Sequence, residues 1–436
     1  MRIDSIRFVN YRRFEDLTLN FQPGMNVIAG INGSGKTTVL QGLCDSFFGY
    51  YGAAEIPTFP VMQDEGIARL SFVDEAGRIR FEPQYPIQLF ADGCVAEKKL
   101  KWEVAKDSVI SKLVMEEREG VLPGKRFGAR LELAGLGGVG PKLSLPLLLF
   151  YRANRHWNSV QTLEVQAATQ MNSRKDAYVN YGDASVDSEA MQMWAVARSI
   201  ERYQTASESG VGFDEVHGDE LDLVNSALAK VIDNAKGLRY DLRQKRLLLE
   251  WKNGAKGASV FGNLSDGQKS IICLVADIAR RMCLLNPQLG PEVLIKTPGV
   301  VLIDELDMHL HPVWQRAITR GLPAAFPAMQ FIAASHSPQV IGELQPEQII
   351  LLSDVGGDHP QASYGLDSSR VLAEVMGAPM RTEEVERQLG EVFVAVEHND
   401  FAAARKMIVK LSERAPDLPE LGRAEALMRR KEVVGR

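Results

Sequence analysis

Gly30-Ile31-Asn32-Gly33-Ser34-Gly35-Lys36-Thr37-Thr38 has the types and spacing of a phosphate cradle: two glycines five residues apart, then Lys and Thr. Glycines let backbone N–H groups turn onto phosphate oxygens, and a helix N-terminus behind them adds favourable dipole charge. Lys36 is placed to reach the outer phosphates and the Thr37 hydroxyl to hold Mg²⁺. The motif predicts that Gly30, Asn32, Gly33, Ser34, Gly35, Lys36, Thr37 and Thr38 bind ATP. A second chemical centre lies at Val300-Val301-Leu302-Ile303-Asp304-Glu305, four apolar residues ending in two carboxylates. Asp304 suits the Mg²⁺ shell beside Thr37, and Glu305 suits a general base for the attacking water. Ser335-His336-Ser337-Pro338 follows another apolar run, and His336 is placed either to sense a γ-phosphate or to satisfy a structural hydrogen bond. Ser265-Asp266-Gly267-Gln268 reads as a capping box, and equally as a helix N-terminus that docks on a phosphate.

These groups need elements to aim them. Met25–Ala29 reads as the buried strand before the cradle and Val39–Leu43 as the helix after it. Leu145–Tyr151, Val300–Ile303 and Phe331–Ala334 are further buried strands. Ile3, Ile6, Phe8, Phe14, Leu17, Leu19 and Phe21 alternate along two strands joined at Asn10–Arg13. Short strand-like pieces at Ile67–Val73 and Ile79–Phe81 precede a glycine-rich loop at Gly135–Gly140. Helical patterns run through Met191, Trp194 and Ile200, then Leu221, Val224 and Leu228, and Ile271 to Leu285. Val385–Val396 and Phe401–Leu411 form a helical hairpin near the end. Pro312 opens a helix, which favours a structural reading of His309 and His311 over metal binding.

The chain has 436 residues, and its net charge of −6 supplies no global field for nucleic acid. Lys98–Lys101, Lys125-Arg126 and Arg243–Arg246 are local basic clusters that read as solvated faces. The four cysteines lack metal or disulfide spacing, and no apolar run is long enough to cross a bilayer, so a cytoplasmic protein without membrane contact is expected.

In this order, the cradle, Leu264-Ser265-Asp266-Gly267-Gln268, Asp304-Glu305 and His336 resemble ABC-type ATPase heads over residues 1–355. Ile3–Phe14 and Asp304–Pro312 look like the SMC, RecF and OLD-like branch rather than a transporter subunit. The resemblance implies an ATP-bound homodimer or higher oligomer in which Ser265, Gly267 and Gln268 act in trans, with Arg12 and Arg13 near the nucleotide. Asp266 departs from the small residue usual in that family, and no Q-loop glutamine is evident. Ser363–Leu372, Met376-Gly377 and Phe401–Arg405 resemble the ATPase subunit of Septu-type and retron-associated antiphage systems, which implies a separate HNH nuclease partner and a possible contact with DNA or retron RNA–DNA. The alternative is a RecF- or SMC-like ATPase of DNA repair or maintenance. The expected fold is α/β: an ABC-type head with a parallel P-loop sheet, an antiparallel β region, a helical insertion and a C-terminal helical appendage. The expected divisions are an ATPase lobe at 1–155, the insertion at 156–236, the signature, Walker B and switch-His part at 237–355, and a possible docking region at 356–436.

Overall fold

The computed structural model describes the chain except residues 48–64, 76–77, 96–97, 109–113, 118–143, 154–172, 253–256, 354–355, 379–380 and 435–436. The glycine-rich stretch 135–140 and the start of the expected insertion lie outside the described residues. Two compact units are present, Met1–Leu366 and Asp367–Arg436.

The first unit is built on a six-stranded sheet: β3 (Met25–Ala29), β9 (Leu147–Tyr151), β13 (Gly299–Ile303), β14 (Met329–Ala334), β15 (Ile349–Leu352) and β16 (Gly357–Asp358). Its order is β16-β15-β3-β14-β13-β9, parallel throughout except for the β15–β16 pair. Every residue of β3, β9, β13 and β14 is buried, which is why these strands read as apolar runs, interrupted only by Asn26 in β3 and Gln330 in β14. The register aligns Ile303 with both Ala333 and Tyr151, and Ala334 with Ile28. The strands therefore end together, and the loops that follow them share one edge.

A five-stranded antiparallel sheet, order β2-β1-β6-β7-β8, is made of β1 (Arg2–Tyr11), β2 (Phe14–Asn20), β6 (Ile87–Val95), β7 (Lys98–Lys106) and β8 (Val114–Glu117). The expected piece at 67–73 is a short helical turn, Glu65–Ile67, followed by β4 (Leu70–Glu75), which pairs with β5 (Arg78–Pro83). Buried Gln330 ties β14 to this layer: its Oε1 accepts from Ile3 N at 2.9 Å and its Nε2 donates to Ile3 O at 2.8 Å. A three-stranded antiparallel sheet, β10 (Ala235–Asp241), β11 (Arg246–Trp251) and β12 (Ala258–Val260), leads toward the capping-box helix.

The long helices of this unit are α1 (Lys36–Ser46), α2 (Ser188–Ser209), α3 (Glu220–Val231), α4 (Asp266–Leu285) and α5 (Pro312–Ala325). Helix α4 is buried on all sides beyond its first turn, so it carries its own charges inward. Asp277 receives Arg280 and Arg281, each at 2.8 Å, and the Tyr151 hydroxyl also at 2.8 Å. Burial raises this carboxyl, and the two guanidiniums outweigh it, leaving the group below its ordinary value and ionised.

The second unit contains α6 (Glu383–Glu397), α7 (Phe401–Ser412) and α8 (Pro419–Val434). Leu389, Val392 and Val396 close one core with Ala404, Ile408 and Leu411 and with Leu421, Ala424 and Met428. The expected hairpin thus gains a third helix.

Candidate functional site

Strand β3 delivers the cradle. Helix α1 starts with Gly35 as its N-cap at φ 100°, has no side-chain cap and carries no acid in its first turn, so the first N–H groups are left for an anion. A Cβ at Gly35 would stand 2.6 Å from Phe14 Cζ and 2.7 Å from Arg13 Cδ. Glycine is required there both by φ and by space, and Arg13 lies against the cradle. The Ser34 hydroxyl is buried without a hydrogen-bond partner, a polar atom that phosphate oxygen would satisfy. Lys36 Nζ is held by the carbonyls of Gly30 at 3.1 Å and Ile31 at 3.0 Å. Burial lowers its pKa, opposed by the charges of Asp304, Glu305 and Asp307. Asn32 and Gly33 form the exposed crest, and Thr38 follows Thr37 in the first turn of α1.

Strand β13 brings the carboxylates to the same edge. The Thr37 hydroxyl donates to Asp304 Oδ2 at 2.8 Å, joining the two groups expected to hold Mg²⁺. Glu305 is exposed and has φ 47°, left-handed backbone that a non-glycine residue adopts only under constraint. The constraint is visible: Asp304 N donates to Tyr151 O at 2.8 Å and Leu306 N to Ala334 O at 2.9 Å, clamping the turn on both sides. An oxygen-only pair of Thr and Asp beside a basic phosphate cradle is a donor set that fits Mg²⁺.

Strand β14 lies between β3 and β13, so Ser335 and His336 emerge between the cradle and the carboxylates. Burial lowers the His336 pKa and Lys36 adds to this, against Asp307, Glu305 and Asp304. Its placement is set by Asp307, a residue that sequence reasoning missed. Asp307 Oδ1 accepts from the Ser335 hydroxyl at 2.6 Å and from His336 N at 3.3 Å. Gln315 completes the brace: its Nε2 donates to Leu310 O at 2.9 Å, and its Oε1 accepts from the Ser337 hydroxyl at 2.8 Å. His311 caps α5 by accepting from Val313 N at 3.4 Å, with Pro312 as the first helical residue.

Ser265 and Gln268 form the capping box, with Ser265 N donating to Gln268 Oε1 at 3.0 Å and Gln268 N to Ser265 Oγ at 3.3 Å. Ser265 and Asp266 are exposed, whereas Gly267 is buried. A Cβ at Gly267 would stand 2.1 Å from the His309 carbonyl oxygen, so α4 packs directly on the loop after the carboxylates. Arg12 has φ 51° and donates its N–H to Ile67 O at 2.7 Å, and its Nε is buried without a partner. Behind the cradle, Asp45 accepts from Tyr11 Oη at 2.7 Å and from Gln41 Nε2 at 3.0 Å. This group was also missed, although Thr37, Gln41 and Asp45 repeat at intervals of four along α1.

Two family profiles match the chain: “AAA domain” over residues 5–121, and “AAA domain, putative AbiEii toxin, Type IV TA system” over 173–342. With cradle and carboxylates at one sheet edge, the chain is an ATPase that resembles ABC-type heads of the SMC and RecF branch. In particular, the chain resembles retron and Septu proteins. It is 48% identical to “Retron Vc95 probable ATPase” of Vibrio cholerae serotype O1 biovar El Tor over 24% of this chain and 20% of that one. It is 36% identical to “Retron Ec83 probable ATPase” of Escherichia coli over 39% of this chain and 30% of that one. It is 22% identical to “Septu protein PtuA” of Bacillus thuringiensis over 90% of this chain and 89% of that one. The chain thus spans less than a third of the length of the two retron relatives. Among the described residues, no helix is long and apolar enough to cross a membrane.

Proposed function

We propose that this protein binds and hydrolyses ATP with Mg²⁺, dimerises around the nucleotide, and through that cycle controls a separate nuclease in defence against phage. The observation that carries the reading is the 2.8 Å bond from Thr37 to Asp304, which unites cradle and carboxylates at one sheet edge. Thr37 and Asp304 would hold Mg²⁺, and the ion would neutralise charge on the phosphates. Lys36 and the first N–H groups of α1 orient the phosphates, while Glu305 is the base that takes a proton from water. Arg13 borders the cradle, Arg12 would lie near the nucleotide, and His336, just after β14, would report on it. Ser265 and Asp266 stand exposed at the start of α4, which supports a role for this helix on a second copy's nucleotide. The antiphage role and the nuclease partner rest on the likeness to retron and Septu proteins.

Glu305→Gln tests the chemistry. It should lower turnover by about two to four powers of ten, leave ATP binding intact and trap a dimer visible by light scattering. Wild-type turnover in this variant would overturn the assignment.

A further inference from the structure

A cavity of about 490 Å³ lies between the second half of α2, the start of α3 and the end of α4. Cys283 in its wall stands in the last turn of α4, about 25 Å along the helix from Ser265. The walls also carry two guanidiniums, Arg198 and Arg202, and three carboxylates, Glu201, Asp219 and Glu220. Their hydrogen-bonding capacity is only partly spent. The Arg202 side chain is 5% exposed; its Nε donates to Asp219 Oδ2 at 2.7 Å and its Nη2 to Asp219 Oδ1. Its Nη1 has no hydrogen bond among the described residues. Asp219 is saturated, since Oδ1 also accepts from Asp222 N at 2.7 Å as the cap of α3. Glu220 accepts no hydrogen bond among the described residues. Its Oε2 lies 3.4 Å from Arg198 Nε, an ion pair in which both atoms are buried without a hydrogen-bond partner. Arg198 donates through Nη1 to Glu201 instead, at 2.5 Å. Leu223, Cys283 and Val293 make the remaining wall apolar. Burial raises the Cys283 thiol, so it packs rather than reacts.

We infer that this cavity binds a free α-amino acid with an apolar side chain, its carboxylate on Arg202 and its ammonium on Glu220. An unused donor and an unused acceptor of opposite charge share one space with an apolar wall. A zwitterion with an apolar arm satisfies all three and adds no net charge. An anion alone meets three carboxylates against two guanidiniums, so phosphate is the poorer occupant. An amine alone leaves Arg202 unsatisfied. The volume is that of a small-molecule site. An occupant would touch the far end of the helix whose first turn follows Ser265. An influence on turnover through α4 rests on the ATPase reading above, whereas the binding itself does not.

The test titrates the full chain with L-leucine and with L-phenylalanine by isothermal calorimetry. At about 100 times its Kd, the amino acid should raise the Tm of Met1–Leu366 by about 3.5 °C. N-acetyl-L-leucine, which lacks the ammonium, and L-leucinamide, which lacks the carboxylate, should each bind about tenfold more weakly or worse. Thr205→Trp fills the cavity from an exposed position on α2 and should abolish binding without lowering the Tm. Glu220→Gln keeps the shape of the wall and should weaken leucine about tenfold, so the test does not depend on how the tryptophan packs. ATP binding measured on the same samples distinguishes failure of this site from failure of the ATPase reading. Absence of binding by both amino acids overturns the proposal, as does leucine binding at wild-type strength in both variants. Leucinamide matching leucine overturns it in favour of a cation site, and N-acetyl-L-leucine matching leucine overturns it in favour of an anion site.

Discussion

Asp45→Asn should make the protein more stable, and increasingly so as pH rises. Asp45 is 4% exposed, and burial pushes its carboxyl from 3.8 to about 6 despite the bonds from Tyr11 and Gln41 and the charges of Arg12 and Arg152. A carboxyl raised in the fold favours its protonated form. Its contribution is therefore best below the unfolded value and is lost as pH rises through about 6. A shift of about two units amounts to about 3 kcal/mol, fully developed above about pH 7, with about half accruing between pH 5 and 8. Asparagine keeps an acceptor for the Tyr11 hydroxyl, and Gln41 can turn its amide oxygen toward the new donor. Over Met1–Leu366, at about 2.1 cal/mol/K per residue, 3 kcal/mol corresponds to about 4 °C in Tm. Paired calorimetric scans at one rate should show the variant's advantage growing by about 2 °C from pH 5 to 8. The paired design removes every other titrating group. An advantage that is flat or shrinks with rising pH would refute the reasoning, because Arg12 and Arg152 would then be holding Asp45 ionised.

Ser265→Arg should leave ATP binding near normal and block hydrolysis, at a cost of about 1 kcal/mol from the lost cap. Mixed with Glu305→Gln it should recover partial turnover, since one composite site of the heterodimer is then intact; no recovery with heterodimers present counts against shared sites. The C-terminal truncation belongs after Leu366, because Ser363 Oγ donates to Leu344 O at 2.7 Å and Gly365 N to Gly342 O at 2.9 Å. The chain cut there should fold, bind ATP and lose its co-purifying nuclease. A truncated protein that retains the nuclease at full affinity removes the docking role of residues 367–436.

What was legible in the sequence was local. Strands β3, β13 and β14 announce themselves because burial on both faces makes them almost wholly apolar, Asn26 and Gln330 being the exceptions. The cradle and the capping box are each satisfied within a few residues, so spacing alone defines them. The C-terminal region was legible as helical and charged, but the packing of α8 was not, because its core contacts, Leu421, Ala424 and Met428, become a face only against α6 and α7. The order that puts β14 between β3 and β13 is also absent from any local pattern, since crossovers set it. Asp307 depends on that order: it becomes a brace only because β14 brings Ser335 and His336 beside it. Gly267 shows the difference most clearly. The motif assigns it to a phosphate on another copy, yet within this chain the His309 carbonyl already forbids any side chain there. Replacing it would therefore disturb the loop after Glu305 before any second subunit is met, and loss of activity in such a variant would be no evidence for a site shared in trans.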